Sequence, residues 1–270
     1  MPNTKINGID LYYEMHGKGM PLMLIAGLGS DSQSWQPIIE ELSRHCLVIA
    51  PDNRGTGRTS PQNARISIQH IADDCMKLTK HLGFSAVNLL GHSMGGFIAL
   101  DIAIGYPDSI DKLILAGSSA SNTKRNDSLF SDWASCMESG MDAELWFRNI
   151  FYWLFSARFF ENEAAVNDAL RYAVEYPYPQ SANSFRNQIE AIADFDCTEH
   201  LSSITLKTLV LSGREDLLFP PKVSARLANA ILGADFSVIE NAAHSIHMEQ
   251  PRAFTDRVLE FLHQNKQTVQ

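Results

Sequence analysis

Short, almost wholly apolar runs recur along the first part of the chain. They are Pro21-Leu22-Met23-Leu24-Ile25, Leu47-Val48-Ile49-Ala50, Val87-Asn88-Leu89-Leu90 and Leu113-Ile114-Leu115-Ala116. Each is too short for a core helix and lacks strict polar alternation, the pattern of a strand buried on both faces. Helical stretches alternate with them. Trp35 to Leu42 is one, and a second starts at Ser67 as cap, runs through Leu82 and is closed by Gly83. A third contains Phe97 to Ala103, apolar nearly all round, and ends at Tyr106-Pro107. Upstream, Asn7-Gly8 sits between the alternating segments Lys5-Ile6 and Ile9 to Glu14, a hairpin signal. Strand and helix in alternation predict a mostly parallel sheet with an antiparallel start.

The alternation stops after Ser118. From about Ser121 to Asp196 only helical patterns occur, over Leu129 to Met137, Ala143 to Phe155, Glu163 to Glu175 and Ser184 to Ala193. The stretch is crowded with aromatic residues, Trp133, Trp146, Phe147, Phe151, Tyr152 and Trp153 among them. Strand patterns resume at Thr208 to Ser212 and Phe236 to Ile239, with helices from Pro221 and over Pro251 to His263, and Gln264 to Gln270 reads as a polar, frayed tail. The expected organisation is an α/β core of residues 1–120 and 197–270, interrupted by a helical insertion, 121–196.

Charge and composition narrow this only slightly. The 270 residues carry 22 Lys+Arg against 31 Asp+Glu, a net charge of −9 without a basic run, which argues against nucleic acid or an anionic membrane as partner. No apolar stretch approaches a membrane span and Met1 to Lys5 lacks a signal-peptide core, so a cytoplasmic location is expected. Cys46, Cys75, Cys136 and Cys197 are far apart, the pattern of reduced thiols rather than a disulfide framework or zinc site. Nothing in the pattern excludes a homo-oligomer.

The chemistry concentrates where the third apolar run meets its helix, at Gly91-His92-Ser93-Met94-Gly95. A serine between strand end and helix start takes a strained backbone, and glycines two residues either side remove clashing Cβ atoms. The hydroxyl of Ser93 is then lifted to the sheet tip. A serine needs an imidazole to take its proton and a carboxylate to orient that imidazole. Downstream strand ends offer Asp216 and His244. Asp216 precedes the apolar Leu217-Leu218-Phe219 and turns inward more readily than Glu215, which can pair at the surface beside Arg214. His244 follows two small alanines, whereas His247 reads as a helix-start or surface histidine. His92, next to Ser93, points away around a tight elbow and is assigned to packing or hydrogen bonding behind it. For an oxyanion the expected donors are the amides of Met94, at the helix start, and Leu28, in the glycine-flanked loop Gly27-Leu28-Gly29. Gly55-Thr56-Gly57 matches no phosphate-loop pattern and is read as structural, with Arg54 buttressing it. No cofactor and no metal is required.

With these residues in hand, the chain resembles the α/β-hydrolase-fold serine hydrolases. The resemblance rests on Gly91 to Gly96, Asp52-Asn53-Arg54-Gly55-Thr56-Gly57-Arg58-Thr59-Ser60, Leu209 to Asp216, and Ala242-Ala243-His244 with Glu249-Gln250-Pro251, in the order Ser93, Asp216, His244. It implies an eight-stranded sheet and a mobile helical cap that lines the substrate pocket. One departure is Ala26-Gly27 where the family often has His-Gly. The nearest look is to small carboxylesterases and 3-oxoadipate enol-lactone hydrolases, then to meta-cleavage-product hydrolases acting on C–C bonds. The expected activity is therefore hydrolysis of small, largely apolar esters, with enol-lactone or C–C bond hydrolysis as the alternative and a non-catalytic receptor as a remote one. Trp146, Phe151, Trp153 and Arg158 are the expected substrate contacts in the cap. Arg148, Arg171 and Arg186 are further cations there that an anionic lactone would want.

Overall fold

The computed structural model describes residues 3–264. Residues 265–270, most of the expected frayed tail, lie outside the described residues.

The chain forms an eight-stranded sheet in the order β1-β2-β4-β3-β5-β6-β7-β8. The strands are β1 (Asn3–Ile6), β2 (Ile9–His16), β3 (Met20–Ile25), β4 (Cys46–Pro51), β5 (Val87–His92), β6 (Ile110–Ala116), β7 (Lys207–Gly213) and β8 (Asp235–Ile239). β1 and β2 are a hairpin in the register Ile6↔Ile9, turned at Asn7 (φ 47) and Gly8 (φ 79). Both turn residues have the positive φ of a two-residue hairpin turn. β2 also pairs antiparallel with β4, and every pairing from there to β8 is parallel.

The uninterrupted apolar strands feed two cores because alternate residues face opposite sides. Met23, Ile25, Leu113, Leu115 and Val210 pack with helices α2 (Ile68–His81), α3 (Met94–Gly105) and α9 (Pro221–Ala230). Leu22, Leu24, Ile114, Leu209 and Leu211 pack with α1 (Gln36–Ser43), the short α10 (Ile246–Glu249) and α11 (Pro251–His263). Covered on both faces, these strands can be apolar throughout. The hydroxyl of Ser67 accepts from the His70 amide at the start of α2, and Gly83 (φ 82) follows its end. Arg54 grips Asp74 of α2 through two 2.8 Å hydrogen bonds, and Asn7 of the hairpin donates to the same carboxylate. The arginine thereby buttresses its loop from below.

Five helices fill the chain between β6 and β7: α4 (Lys124–Glu138), α5 (Ala143–Leu154), α6 (Ala157–Phe160), α7 (Glu163–Val174) and α8 (Ala182–Ala193). Phe151, Val166 and Leu170 make a small core among them, and Phe130, Trp133, Trp146, Phe185 and Ile189 join the core over α3. The chain leaves and re-enters the sheet region at one point, an antiparallel bridge between Ser121 and Asp196. All four cysteines are free thiols.

Candidate active site

Ser93 lies between β5 and α3 with φ 56 and ψ −120, a conformation L-residues avoid. Neighbouring backbone leaves no alternative. An added Cβ would lie 2.1 Å from the Gly95 carbonyl oxygen at Gly91, and 1.9 Å from the Ile25 carbonyl oxygen at Gly95. The turn is pinned from β6, because the Ser93 amide donates to Ala116 O (2.9 Å) and the Ser118 hydroxyl to Ser93 O (3.0 Å).

The structure brings Asp216 and His244 together, with His244 Nδ1 2.9 Å from Asp216 Oδ2, both side chains buried. Asp216 Oδ1 accepts from the amides of Leu218 and Phe219, each at 2.8 Å. Every near contact of the carboxylate is thus a donor, so Nδ1 of His244 carries the proton and Nε2 presents its lone pair. Gly117 (φ 53) lies under the pair, where an added Cβ would come within 3.3 Å of the imidazole. The two loops are stitched by backbone bonds from Arg214 to Ile239 O and from Glu215 to Ala242 O. Glu215 is exposed, and the surface partner of Arg214 is Glu240 (2.6 Å), across from β8.

His92 and His247 lie beside this pair. His92 Nε2 donates to the backbone carbonyl of His244 (2.8 Å), which leaves its Nδ1 unprotonated. Burial, reinforced by the neighbouring imidazoles His247 and His244, holds His92 well below the usual histidine range. His247 begins a short helix as expected but is buried, not at the surface. Its ring packs 4.6 Å from Trp35 between centroids, with the Ser34 backbone beside it and no well-formed hydrogen bond to either nitrogen among the described residues. Burial and the proximity of His244 push it down to about 3. Both rings are neutral at physiological pH.

Ser93, His92, His244 and His247 open on to one cavity of about 520 Å³ roofed by the helical insertion. Leu28 lines it, in a turn closed by the Ser30 amide donating to Gly27 O. No acceptor for the Leu28 amide occurs among the described residues, while the Gly29 amide is taken by Gln188 of α8. Met94 is the first residue of α3, so its amide belongs to the set with no intrahelical acceptor.

Of the expected cap contacts, Trp146 and Phe151 line the cavity. Trp153 and Arg158 do not, which corrects that expectation. On α5 the cavity face is Trp146, Phe147, Ile150, Phe151 and Leu154, at helical spacing. Trp153 falls outside that stripe and faces Arg125 (5.6 Å), and Arg158 is exposed on α6. The other insertion arginines are paired elsewhere, Arg148 with Glu144, Arg171 with Asp168 and Arg186 with Glu138. No lysine or arginine lines the cavity among the described residues, and its sole carboxylate is Asp31. Asp31 accepts from the Gln33 amide (2.9 Å) and the Tyr176 hydroxyl (2.5 Å), and burial, then the charge of Asp52, raises its carboxyl above the usual range.

Sequence reasoning missed Glu249 as a structural tie. One of its oxygens accepts from the Ser156 amide and hydroxyl, the other from the Ala243 amide at 2.7 Å. It binds the His244 loop to the insertion. Only the Glu-Gln-Pro run before α11 marked it in the sequence.

The strained serine, the buried His–Asp pair at two later strand ends and the roofed cavity define a hydrolase of the α/β-hydrolase fold. The family model described as "alpha/beta hydrolase fold" matches residues 20–251, and the chain belongs to that family. Among curated relatives, the protein named "Putative carbamate hydrolase RutD" of Rhizobium rhizogenes is 32% identical over 261 residues, covering 93% of this chain and 97% of that one. Among solved structures, an enol-lactonase from Burkholderia xenovorans superposes with TM-score 0.88 at 26% identity, covering 97% of this chain and 100% of that one. A thermophilic esterase from Thermogutta terrifontis superposes with TM-score 0.84 at 28% identity and 96% coverage of both. The hydrolase class and fold expected from the sequence stand. Among the described residues no helix is long and apolar enough to cross a membrane.

Proposed function

We propose that the protein is a cofactor-free carboxylic-ester hydrolase acting on small, uncharged, largely apolar esters through an acyl-enzyme. The observation that carries the reading is the His244–Asp216 pair facing, with Ser93, a largely apolar cavity lined by no lysine or arginine among the described residues. In this mechanism His244 Nε2 takes the proton of Ser93 as its Oγ attacks the carbonyl carbon. Asp216 keeps Nδ1 protonated and stabilises the imidazolium that forms. The amides of Leu28 and Met94 receive the oxyanion, a contribution of roughly 3–4 kcal/mol per donor where one has been removed. Collapse expels the alcohol, protonated by His244, and a water deprotonated by the same nitrogen releases the acid and restores Ser93.

Missing cations also weigh against the 3-oxoadipate type of lactone, whose carboxylate would enter a low-dielectric cavity with no partner. Neutral lactones remain suitable. A second reading, carbamate hydrolysis, is favoured by the 32% identity to the relative named for that activity, because the same triad attacks a carbamate carbonyl.

The test is turnover of p-nitrophenyl butyrate, a neutral lactone and an aryl carbamate side by side. We expect the ester to be fastest and Ser93→Ala to lower kcat by about 10⁴-fold or more with the fold intact. Retained activity in that variant, or an ester slower than the carbamate by orders of magnitude, overturns the ester reading.

A further inference from the structure

The insertion reaches the catalytic centre not only as a roof. Ser184 and Gln188 lie four apart on one face of α8, and Gln180 precedes the helix cap Ser181. All three bond to core loops. Gln180 Nε2 donates to Gly55 O (2.9 Å), Ser184 Oγ donates to Gly55 O (2.8 Å), and the Gly29 amide donates to Gln188 Oε1 (3.1 Å). The last bond lands in the turn that carries the Leu28 amide.

That turn has a built-in ambiguity. Gly27 O accepts from Ser30 N, and Gly29 at the third position has φ 68, the type II arrangement. Type I and type II turns differ by rotation of the central peptide, here Leu28–Gly29, which a glycine permits at little steric cost. Gln188 accepts from the amide of that very peptide and so selects one orientation. The backbone on its other side is tight, since an added Cβ at Gly29 would lie 3.2 Å from Phe185 of the same helix.

Gln188 is an expensive way to fill space. It is fully buried, and its Nε2 has no hydrogen-bond partner among the described residues. A leucine of similar bulk would bury no orphan donor. The one thing the glutamine adds is the acceptor for Gly29.

We propose that Gln188 is a positioning residue for the oxyanion site: by anchoring the turn at Gly29, the residue directly after Leu28, it holds in place the preceding Gly27–Leu28 peptide that carries the Leu28 N–H, so the site is complete only with α8 seated. This rests on the ester-hydrolase reading above.

Gln188→Leu tests it through paired measurements. Expected are a thermal midpoint equal to or above that of the parent and an unchanged KM for p-nitrophenyl butyrate. With them should come a kcat lower by about tenfold, short of the loss on removing a donor itself. Affinity for a trifluoromethyl ketone, whose adduct with the serine bears the oxyanion, should fall by the same factor, while affinity for the matching alcohol stays unchanged. A lowered midpoint with kcat of the folded protein preserved overturns the proposal, as does a loss of kcat without a parallel loss of ketone affinity. Labelling of Ser93 by a fluorophosphonate and its absence in Ser93→Ala separate the two readings. If labelling fails, the triad reading falls; if it succeeds and kcat is unchanged in Gln188→Leu, only the present inference falls.

Discussion

Three imidazoles crowd the floor of the cavity, and only His244 is arranged to move a proton. His92 has committed its Nε2 proton to the His244 carbonyl, and His247 sits against Trp35 with no well-formed hydrogen bond to either nitrogen among the described residues. The neutrality of these two rings has a consequence for stability. Burial holds both rings below the unfolded value of about 6.5, His247 down to about 3, so below about pH 6.5 the unfolded chain binds protons the folded one refuses. Stability is complete above about pH 6.5 and falls as the pH drops, by roughly 1 kcal/mol per pH unit for each ring. Urea midpoints measured from pH 7 to pH 4.5 should decline accordingly, and His247→Phe, which removes one titrating ring, should flatten the decline. An unchanged slope in that variant would refute the assignment. None of this was visible in the sequence, where His247 read as a helix-start or surface residue. A short helix does start there, but which way it faces is decided by Trp35, more than 200 positions earlier.

Elements were the most legible level. Runs of apolar residues marked β3 to β7 because a strand covered on both faces has no polar side to show. Ser67 and Gly83 bounded α2 because capping chemistry is local. The elbow was legible for the same reason, since the steric demand falls on glycines within two residues of Ser93. That demand is testable against a neutral glycine of the same helix. Gly95→Ala forces a Cβ to 1.9 Å from the Ile25 carbonyl oxygen, so it should abolish soluble expression or lower the thermal midpoint by ten degrees or more, on the order of 3 kcal/mol. Gly105, at the other end of α3, has open space at that position, and Gly105→Ala should be neutral or stabilise by about 0.5–1 kcal/mol. Comparable effects at both positions would contradict the packing described. Not legible were Gln188 and Glu249, whose partners are set by how helices seat on loops. Gly29 and Gln188 are 159 residues apart, and no local pattern announces that bond.

For the whole molecule, the net charge of −9 continues into the cavity wall, where Asp31 is the sole carboxylate and no lysine or arginine lines the cavity among the described residues. The charge of Arg58 reaches Asp31 but is engaged with Asp52 and Glu14. An ester bearing its own carboxylate should therefore be handicapped. At pH 8 we expect mono-p-nitrophenyl succinate to show kcat/KM at least about tenfold below that of the butyrate ester, the scale of one uncompensated like-charge contact at intermediate dielectric. Asp31→Asn, which keeps a good helix cap, should narrow that gap, and a gap of the same size would dissociate Asp31 from it.

The bridge between Ser121 and Asp196 has a further meaning. Because the insertion departs and returns through adjacent backbone, and Cys197 N donates to Ala120 O (3.0 Å) just beyond, the sheet does not need the intervening helices to hold its own ends in register. The architecture is that of a cassette on a socket. The elbow and the sheet ends that carry the acid and the base are therefore held without residues 122–195, which supply the roof. A replacement must nevertheless reproduce the grips on the core made by Gln180, Ser184 and Gln188, by Tyr176 on Asp31, and by Ser156 and Leu154 on the base loop.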